Sequence, residues 1–186
     1  GRGFSTAQGG VYVLVEAVKK LGLDPKNSTV AIQGFGNAGS FMAKLLHRQG
    51  YKIVAVSDSK GGVFVESGLD LAQVELAKNE KGSVSVAGGR AISNEELIEI
   101  PVDNLVPAAL ENQITTENAG RIKAKLIVEL ANGPVTPEAD DVLRDMGIIS
   151  VPDILSNAGV VTVSYFEQVQ NAMNFYWTEV DVLQKL

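Results

Sequence analysis

Thr29-Val30-Ala31-Ile32-Gln33-Gly34-Phe35-Gly36-Asn37-Ala38-Gly39 runs an apolar segment into three glycines spaced G-x-G-x-x-G. The next twenty or so residues complete a unit. Phe41, Met42, Leu45 and Leu46 form an apolar helical stripe, Gly50 stops it, Lys52 to Val56 reads as a second strand, and Asp58 closes the stretch. The order strand, glycine turn, helix, strand, acid is that of a βαβ unit built to hold a dinucleotide. The first glycine permits the tight turn, the second admits a pyrophosphate to the backbone, and the third lets helix pack on sheet. The helix presents unpaired N–H groups and partial positive charge to the phosphates. Asp58 comes about 20 residues after the turn, where an acid accepts hydrogen bonds from a ribose.

Composition narrows the function classes. The 186 residues suffice for one domain with a substantial core. A net charge of −6, with basic residues scattered, argues against a nucleic-acid or anionic-membrane footprint. No apolar run reaches the roughly 18 residues of a membrane span. With no cysteine and a single histidine, His47, the chain offers no thiolate or histidine metal site, no cysteine nucleophile and no Ser-His-Asp triad; no metal site is expected. The absence of cysteine fits a reducing cytoplasm. His47 is expected at the surface. The opening Gly1-Arg2-Gly3-Phe4 has neither an initiator Met nor a signal-peptide core, and the chain is expected to be part of a longer protein.

Outside the βαβ unit, residues 5–21 read as a helix on Val11, Leu14, Val15, Val18 and Leu21. Gly61-Gly62 before Val63-Phe64-Val65 predicts a short hairpin, Leu69 to Lys78 a helix, and Ser83 to Val86 a short strand. Ser93-Asn94-Glu95-Glu96 is a capping box. Strands are expected at Asp103 to Val106, Leu126 to Glu129 and Ile148 to Val151. Helices are expected at residues 115–122, from Pro137 with Thr136 as cap, from about Asn157 towards Asn171, and after Thr178. Short apolar strands alternating with helices predict an α/β Rossmann-like fold, a doubly wound, mostly parallel sheet with helices on both faces, as one domain over residues 1–186.

In such sheets ligands bind beyond the carboxyl ends of the strands, where strand order reverses. The segments at those ends are Gly34 to Gly39, Ser57 to Lys60, Pro107-Ala108-Ala109, Ala131-Asn132-Gly133-Pro134, and Pro152-Asp153 leading to Asn157-Ala158-Gly159. Ala108 and Ala109 are small enough for close approach. Asn132 and Asn157 both donate and accept, as a nicotinamide carboxamide requires. The candidate cofactor residues are therefore Gly34, Phe35, Gly36, Asn37, Ala38 and Gly39 of the turn, Asp58 and Ser59 after the second strand, Ala108, Ala109, Asn132 and Asn157. Asp58 leans the choice to NAD, whereas Ser57, Ser59 and Lys60 offer partners for a 2′-phosphate, so NADP stays open.

Val30 to Asn37, Val56 to Ser59, Pro107 to Asn112, Ala131 to Pro134, and Asn157-Ala158-Gly159 with Val163 to Glu167 resemble the cofactor-binding core of glutamate dehydrogenases, as do Gly1-Arg2, Thr6-Ala7 and Gly9. The resemblance covers nearly the whole chain. It implies that Thr6 reaches the cofactor, that Ser164 contacts the side-chain carboxylate of glutamate, and that the parent converts glutamate to 2-oxoglutarate and ammonium. It also implies that the catalytic lysine and aspartate lie in an N-terminal domain with no counterpart here, so no catalytic residue is expected in this chain. The parent is expected to be a cytoplasmic homo-hexamer and the isolated domain a monomer. Leucine, valine and phenylalanine dehydrogenases are similar but typically carry a Cys-Ala-Leu-Gly-Gly turn where this chain has Ala108 to Asn112. Val160 stands where the family usually has a second glycine, and its branched side chain is expected to crowd the pocket. Two alternatives stay open: a branched-chain or aromatic amino-acid dehydrogenase domain, and a free-standing nucleotide-binding module.

Overall fold

The computed structural model describes residues 4–186. Gly1 and Arg2, which carry part of the resemblance, lie outside the described residues. Seven strands form one sheet in the order β4-β3-β2-β1-β5-β6-β7. They are β1 (Thr29–Gln33), β2 (Lys52–Asp58), β3 (Gly61–Phe64), β4 (Arg90–Ile92), β5 (Asn104–Pro107), β6 (Leu126–Val128) and β7 (Ile149–Val151). The run β2-β1-β5-β6-β7 is parallel. β3 and β4 extend it as an antiparallel edge.

The strands read as continuous apolar runs because both faces are covered. Successive residues point to opposite sides, so Val30, Ile32, Val106, Leu126 and Val128 enter one core, while Ala31, Leu105 and Ile127 enter the other. Helices α1 (Ser5–Lys20), α2 (Asn37–Arg48) and α3 (Leu71–Lys81) close the first core with Leu14, Met42, Leu46 and Val74. Helices α4 (Asn94–Glu99) and α5 (Pro137–Asp145) close the second with Leu97, Ile98, Ala139 and Leu143. The expected doubly wound sheet is thus present. From β1 the chain builds outward through β2, β3 and β4, then crosses back to β5 and builds the other way. The reversal falls between β1 and β5, and that is where a ligand crevice is expected.

Helix ends follow the sequence signals. The Ser93 capping box forms, with Ser93 Oγ accepting from Glu96 N–H and Glu96 accepting from Ser93 N–H. Thr136 caps α5 with Pro137 at its first position, and Thr178 caps α8 (Glu179–Lys185). The long helix α7 spans Gly159–Met173.

Three local expectations are corrected and one short helix is added. Ser83 to Val86 is not a strand: Val84–Val86 is a 3₁₀ turn, because Ser83 Oγ takes the Ser85 N–H and Asp58 takes the Val84 N–H, and the edge strand is Arg90–Ile92. Residues 115–122 hold only a 3₁₀ turn, Ala119–Arg121, since the Asn118 side chain captures the Thr115 N–H and donates to the Gln113 carbonyl. A short helix, α6 (Asp153–Ser156), precedes α7. Phe41 lies outside the buried stripe of α2, 37% exposed, with the Lys44 ammonium over its ring; Ala43 takes the inner place.

Candidate functional site

The reversal point carries a crevice of about 640 Å³ lined by Thr6, Ala38, Ala108, Ala109, Asn132 and Asn157, all of them expected site residues. They come from five segments that meet only in the fold: the first turn of α1, the β1–α2 turn, and the segments after β5, β6 and β7.

The turn is built as the glycine spacing dictates. Gly34 has φ +100°, and a Cβ there would stand 2.8 Å from the Ala108 carbonyl oxygen and 2.9 Å from Ala109 N. The ends of β1 and β5 are therefore in main-chain contact. A Cβ on Gly39 would run into the Gly34 carbonyl, so α2 sits directly on the strand end. Gly36 differs: a Cβ there would meet nothing within 4 Å. It precedes α2 without a side-chain cap bond, so no side chain satisfies the N–H groups of the first helical turn. Phe35 is 5% exposed and packs in the first core, so its side chain serves the fold and only its main chain borders the turn. Asn37 is exposed at the first position of α2.

Asn157 Nδ2 donates to Asn132 Oδ1 at 2.8 Å, joining the segments after β6 and β7. That bond leaves Asn132 Nδ2 as donor and Asn157 Oδ1 as acceptor, the complement of a primary carboxamide. Val160 lines the same crevice. Ser164 lies one helical turn beyond Val160, on the same face of α7, and is half-buried. The neighbouring Thr162 makes the backward bond to a main-chain carbonyl, Ala158 O at 3.0 Å. The wall formed by α1 and α7 is set by glycines. A Cβ on Gly9 would stand 3.0 Å from Gly159 Cα, and one on Gly159 would strike the Ser5 carbonyl.

Asp58 does not face the crevice. Its carboxylate is buried and points back into the protein, where it accepts four hydrogen bonds: Lys60 N–H at 2.9 Å, Ser83 Oγ at 3.1 Å, Val84 N–H at 2.8 Å and Lys78 Nζ at 2.8 Å. Each oxygen holds two donors, so a ribose hydroxyl has no lone pair to claim without displacing one of them. Burial alone would push this carboxyl up. The Lys78 ammonium and the three other donors outweigh it and hold Asp58 below the ordinary carboxylate range. Ser59 is exposed in a separate depression with Ser93 and Asn94, away from Thr6 and the asparagines. Lys60 Nζ lies beside Gly82 at the carboxyl end of α3, where the helix dipole favours a cation.

Three supporting residues have no sequence signal. Lys78 and Ser83 hold Asp58 from 20 and 25 residues away. Asn94 accepts from Ser57 Oγ at 2.7 Å and donates to the Asp58 carbonyl at 2.9 Å, bracing the end of β2. Behind the crevice, Glu129 is 7% exposed and accepts from Ser150 Oγ at 2.8 Å. Burial is the main cause that pushes its carboxyl up; the Ser150 bond opposes this, and nearby Asp153 and Asp140 add to it.

Comparison with known proteins adds a second line. The family model of Glutamate/Leucine/Phenylalanine/Valine dehydrogenase matches residues 1–186. The chain is 50% identical, over its full length, to the cryptic catabolic NAD-specific glutamate dehydrogenase GudB of Bacillus subtilis, covering 44% of that protein. It is 53% identical over 179 residues to a glutamate dehydrogenase of Thermotoga maritima, covering 95% of this chain and 43% of that one. A hetero-hexameric glutamate dehydrogenase from Thermus thermophilus superposes with a TM-score of 0.90 at 34% identity, over 97% of this chain and 43% of that chain. The chain thus spans less than half the length of these relatives.

Proposed function

Because the chain belongs to the Glutamate/Leucine/Phenylalanine/Valine dehydrogenase family, we propose that it is the coenzyme domain of a glutamate dehydrogenase, holding NAD for the oxidative deamination of glutamate to 2-oxoglutarate and ammonium. The observation that carries this is the meeting, at the strand-order reversal, of an uncapped helix N-terminus, two main-chain-tight small-residue turns and a paired Asn132–Asn157 amide. The groups fit the cofactor. The open space at Gly36 and the free N–H groups of α2 suit a pyrophosphate. Asn132 and Asn157 suit the carboxamide, and Thr6, Ala108 and Ala109 line the space between. Bound NAD would supply the hydride acceptor. The chain's own residues bind it, fix its ring end and shield it on one side. Proton transfer requires further residues of the parent, as the length of the relatives supports.

The assignment of NAD over NADP draws on the NAD-specific relative and not on ribose hydrogen bonds accepted by Asp58, whose oxygens are already occupied. The six-subunit parent draws on the Thermus protein, named a hetero-hexamer. We place the parent in the cytoplasm, consistent with the cysteine-free sequence and with no helix among the described residues long and apolar enough to cross a membrane. Glutamate over leucine or phenylalanine draws on the names of the relatives and on Ser164 lying on the crevice face of α7.

Calorimetric titration of the 186-residue chain with NAD, NADP and ADP tests the cofactor assignment. NAD binding is expected; binding of ADP alone would favour a free-standing nucleotide module. Joining the chain to the remaining sequence of its parent and comparing glutamate with leucine tests the substrate. Faster turnover of leucine would overturn the glutamate assignment.

A further inference from the structure

The asparagine pair is anchored from behind by one residue. Asp153, half-buried at the start of α6, accepts the Gly133 N–H on its Oδ2 at 2.8 Å. That N–H belongs to the peptide linking Asn132 to Gly133, so the bond fixes the plane from which the Asn132 side chain springs. Gly133 has φ +53°, a left-handed conformation, which turns the segment sharply at this point. The other carboxylate oxygen of Asp153 accepts its neighbour's N–H, Ile154 N at 2.6 Å, which locks the carboxylate orientation. The Asp153 carbonyl accepts the Asn157 N–H at 2.9 Å. One residue therefore grips the main chain beside Asn132 with its side chain and the main chain of Asn157 with its carbonyl. The two amides so held meet each other at 2.8 Å.

We propose that Asp153 is a positioning residue for the nicotinamide end of the cofactor: it sets the Asn132–Asn157 pair in the register that presents one amide donor and one amide acceptor to a carboxamide. The inference rests on the crevice being the nicotinamide end of a dinucleotide site. Without the Asp153 carboxylate, the flanking residues stay held by Ala131 N–H to Pro107 O and Asn112 N–H to Gly133 O, but the Asn132–Gly133 N–H loses its acceptor and the pair its fixed orientation. The adenosine end is unaffected, because Asp153 touches neither the β1–α2 turn nor the Ser59 depression. The effect is thus selective for ligands that carry the nicotinamide.

The test compares NAD with ADP on the 186-residue chain. Asp153→Ala is expected to weaken NAD about tenfold, because the asparagine pair must then be ordered on binding, while ADP affinity stays near the value of the unsubstituted chain and the thermal midpoint falls by no more than about 5 °C for the one intrachain hydrogen bond lost. Asp153→Asn keeps an acceptor oxygen for Gly133 and is expected to recover most of the NAD affinity. In an amide spectrum, the Gly133 N–H and the Asn157 side-chain NH₂ resonances are expected to move in Asp153→Ala and to stay in Asp153→Asn. Unchanged NAD affinity in Asp153→Ala, or equal losses for NAD and ADP, would overturn the positioning role. A parent chain that binds ADP but not NAD would overturn the nicotinamide assignment itself, and the inference with it.

Discussion

Replacing Asp58 by Ala separates two roles that an acid at the end of β2 can have. If its carboxylate reads a ribose, the substitution alters the choice between NAD and NADP and leaves the fold alone. The geometry favours the opposite outcome. Of the four donors on Asp58, Val84 N–H and Ser83 Oγ are buried, and each loses its acceptor. Leaving a buried donor unsatisfied costs about 1–3 kcal/mol. Lys60 N–H and the Lys78 ammonium, whose side chain is 34% exposed, reach solvent and contribute less. Ser83 Oγ also contacts Ser85 Oγ at 2.9 Å and is the milder loss. The total is about 2–4 kcal/mol, a fall in melting temperature of about 5–15 °C for a domain of this size. Urea and thermal unfolding of the Ala variant measure it, alongside the NAD-to-NADP affinity ratio. A stable variant with a ratio shifted more than about tenfold would refute the structural assignment and restore the ribose reader. Acid titration offers an independent check. The folded carboxyl is depressed below its ordinary 3.8, so its stabilisation is present above that value and is lost as pH falls through the folded one. The Ala variant is expected to lose this acid limb.

Glu129 has the opposite sign: its folded carboxyl is raised above 4.5, so the native state loses stability as pH rises from there through the folded value. Glu129→Gln is expected to gain on the parent across that window in urea unfolding between about pH 4 and about pH 8; no change in the difference would contradict burial as the cause. Gly34→Ala forces a Cβ onto the Ala108–Ala109 main chain at positive φ and is expected to cost at least about 2 kcal/mol in chemical unfolding. Gly36→Ala points its methyl into open space, so stability is expected to hold within about 1 kcal/mol while NAD affinity falls about tenfold or more. A Gly36→Ala chain that binds NAD normally would move the pyrophosphate elsewhere.

The parts of this fold that were legible in the sequence are those fixed by near neighbours. The β1 run announces itself because every residue after Thr29 is buried on one face or the other, and the Gly34 and Gly39 contacts require glycine within five residues of each other. The caps at Ser93, Thr136 and Thr178 close on donors three residues away. The direction of a side chain at a strand end is a different matter. Asp58 turns inward because Lys78, Ser83 and Val84 arrive from α3 and the turn after it, and nothing within the βαβ unit reveals that arrival. Val84-Ser85-Val86 alternates like a strand but is claimed by the same carboxylate. Arg90–Ile92 carries no strand signal because a short, mostly exposed edge strand needs little apolar pattern of its own. The crevice was recovered because strand ends are counted from topology, whereas the grip of Asp153 on Gly133 depends on a turn whose shape no local rule supplies.

The glycine contact between α1 and α7 has a consequence for how this site can drift over evolutionary time. Thr6 hangs from one helix and Val160 from the other, and the two backbones meet at Gly9 and Gly159 with no side chain between them. The span of the crevice is therefore gauged by main-chain thickness, which substitution cannot trim. Lining residues can be exchanged to suit a different amino acid while the aperture holds its calibre, and a single methyl at either glycine would act as a shim that pries the walls apart.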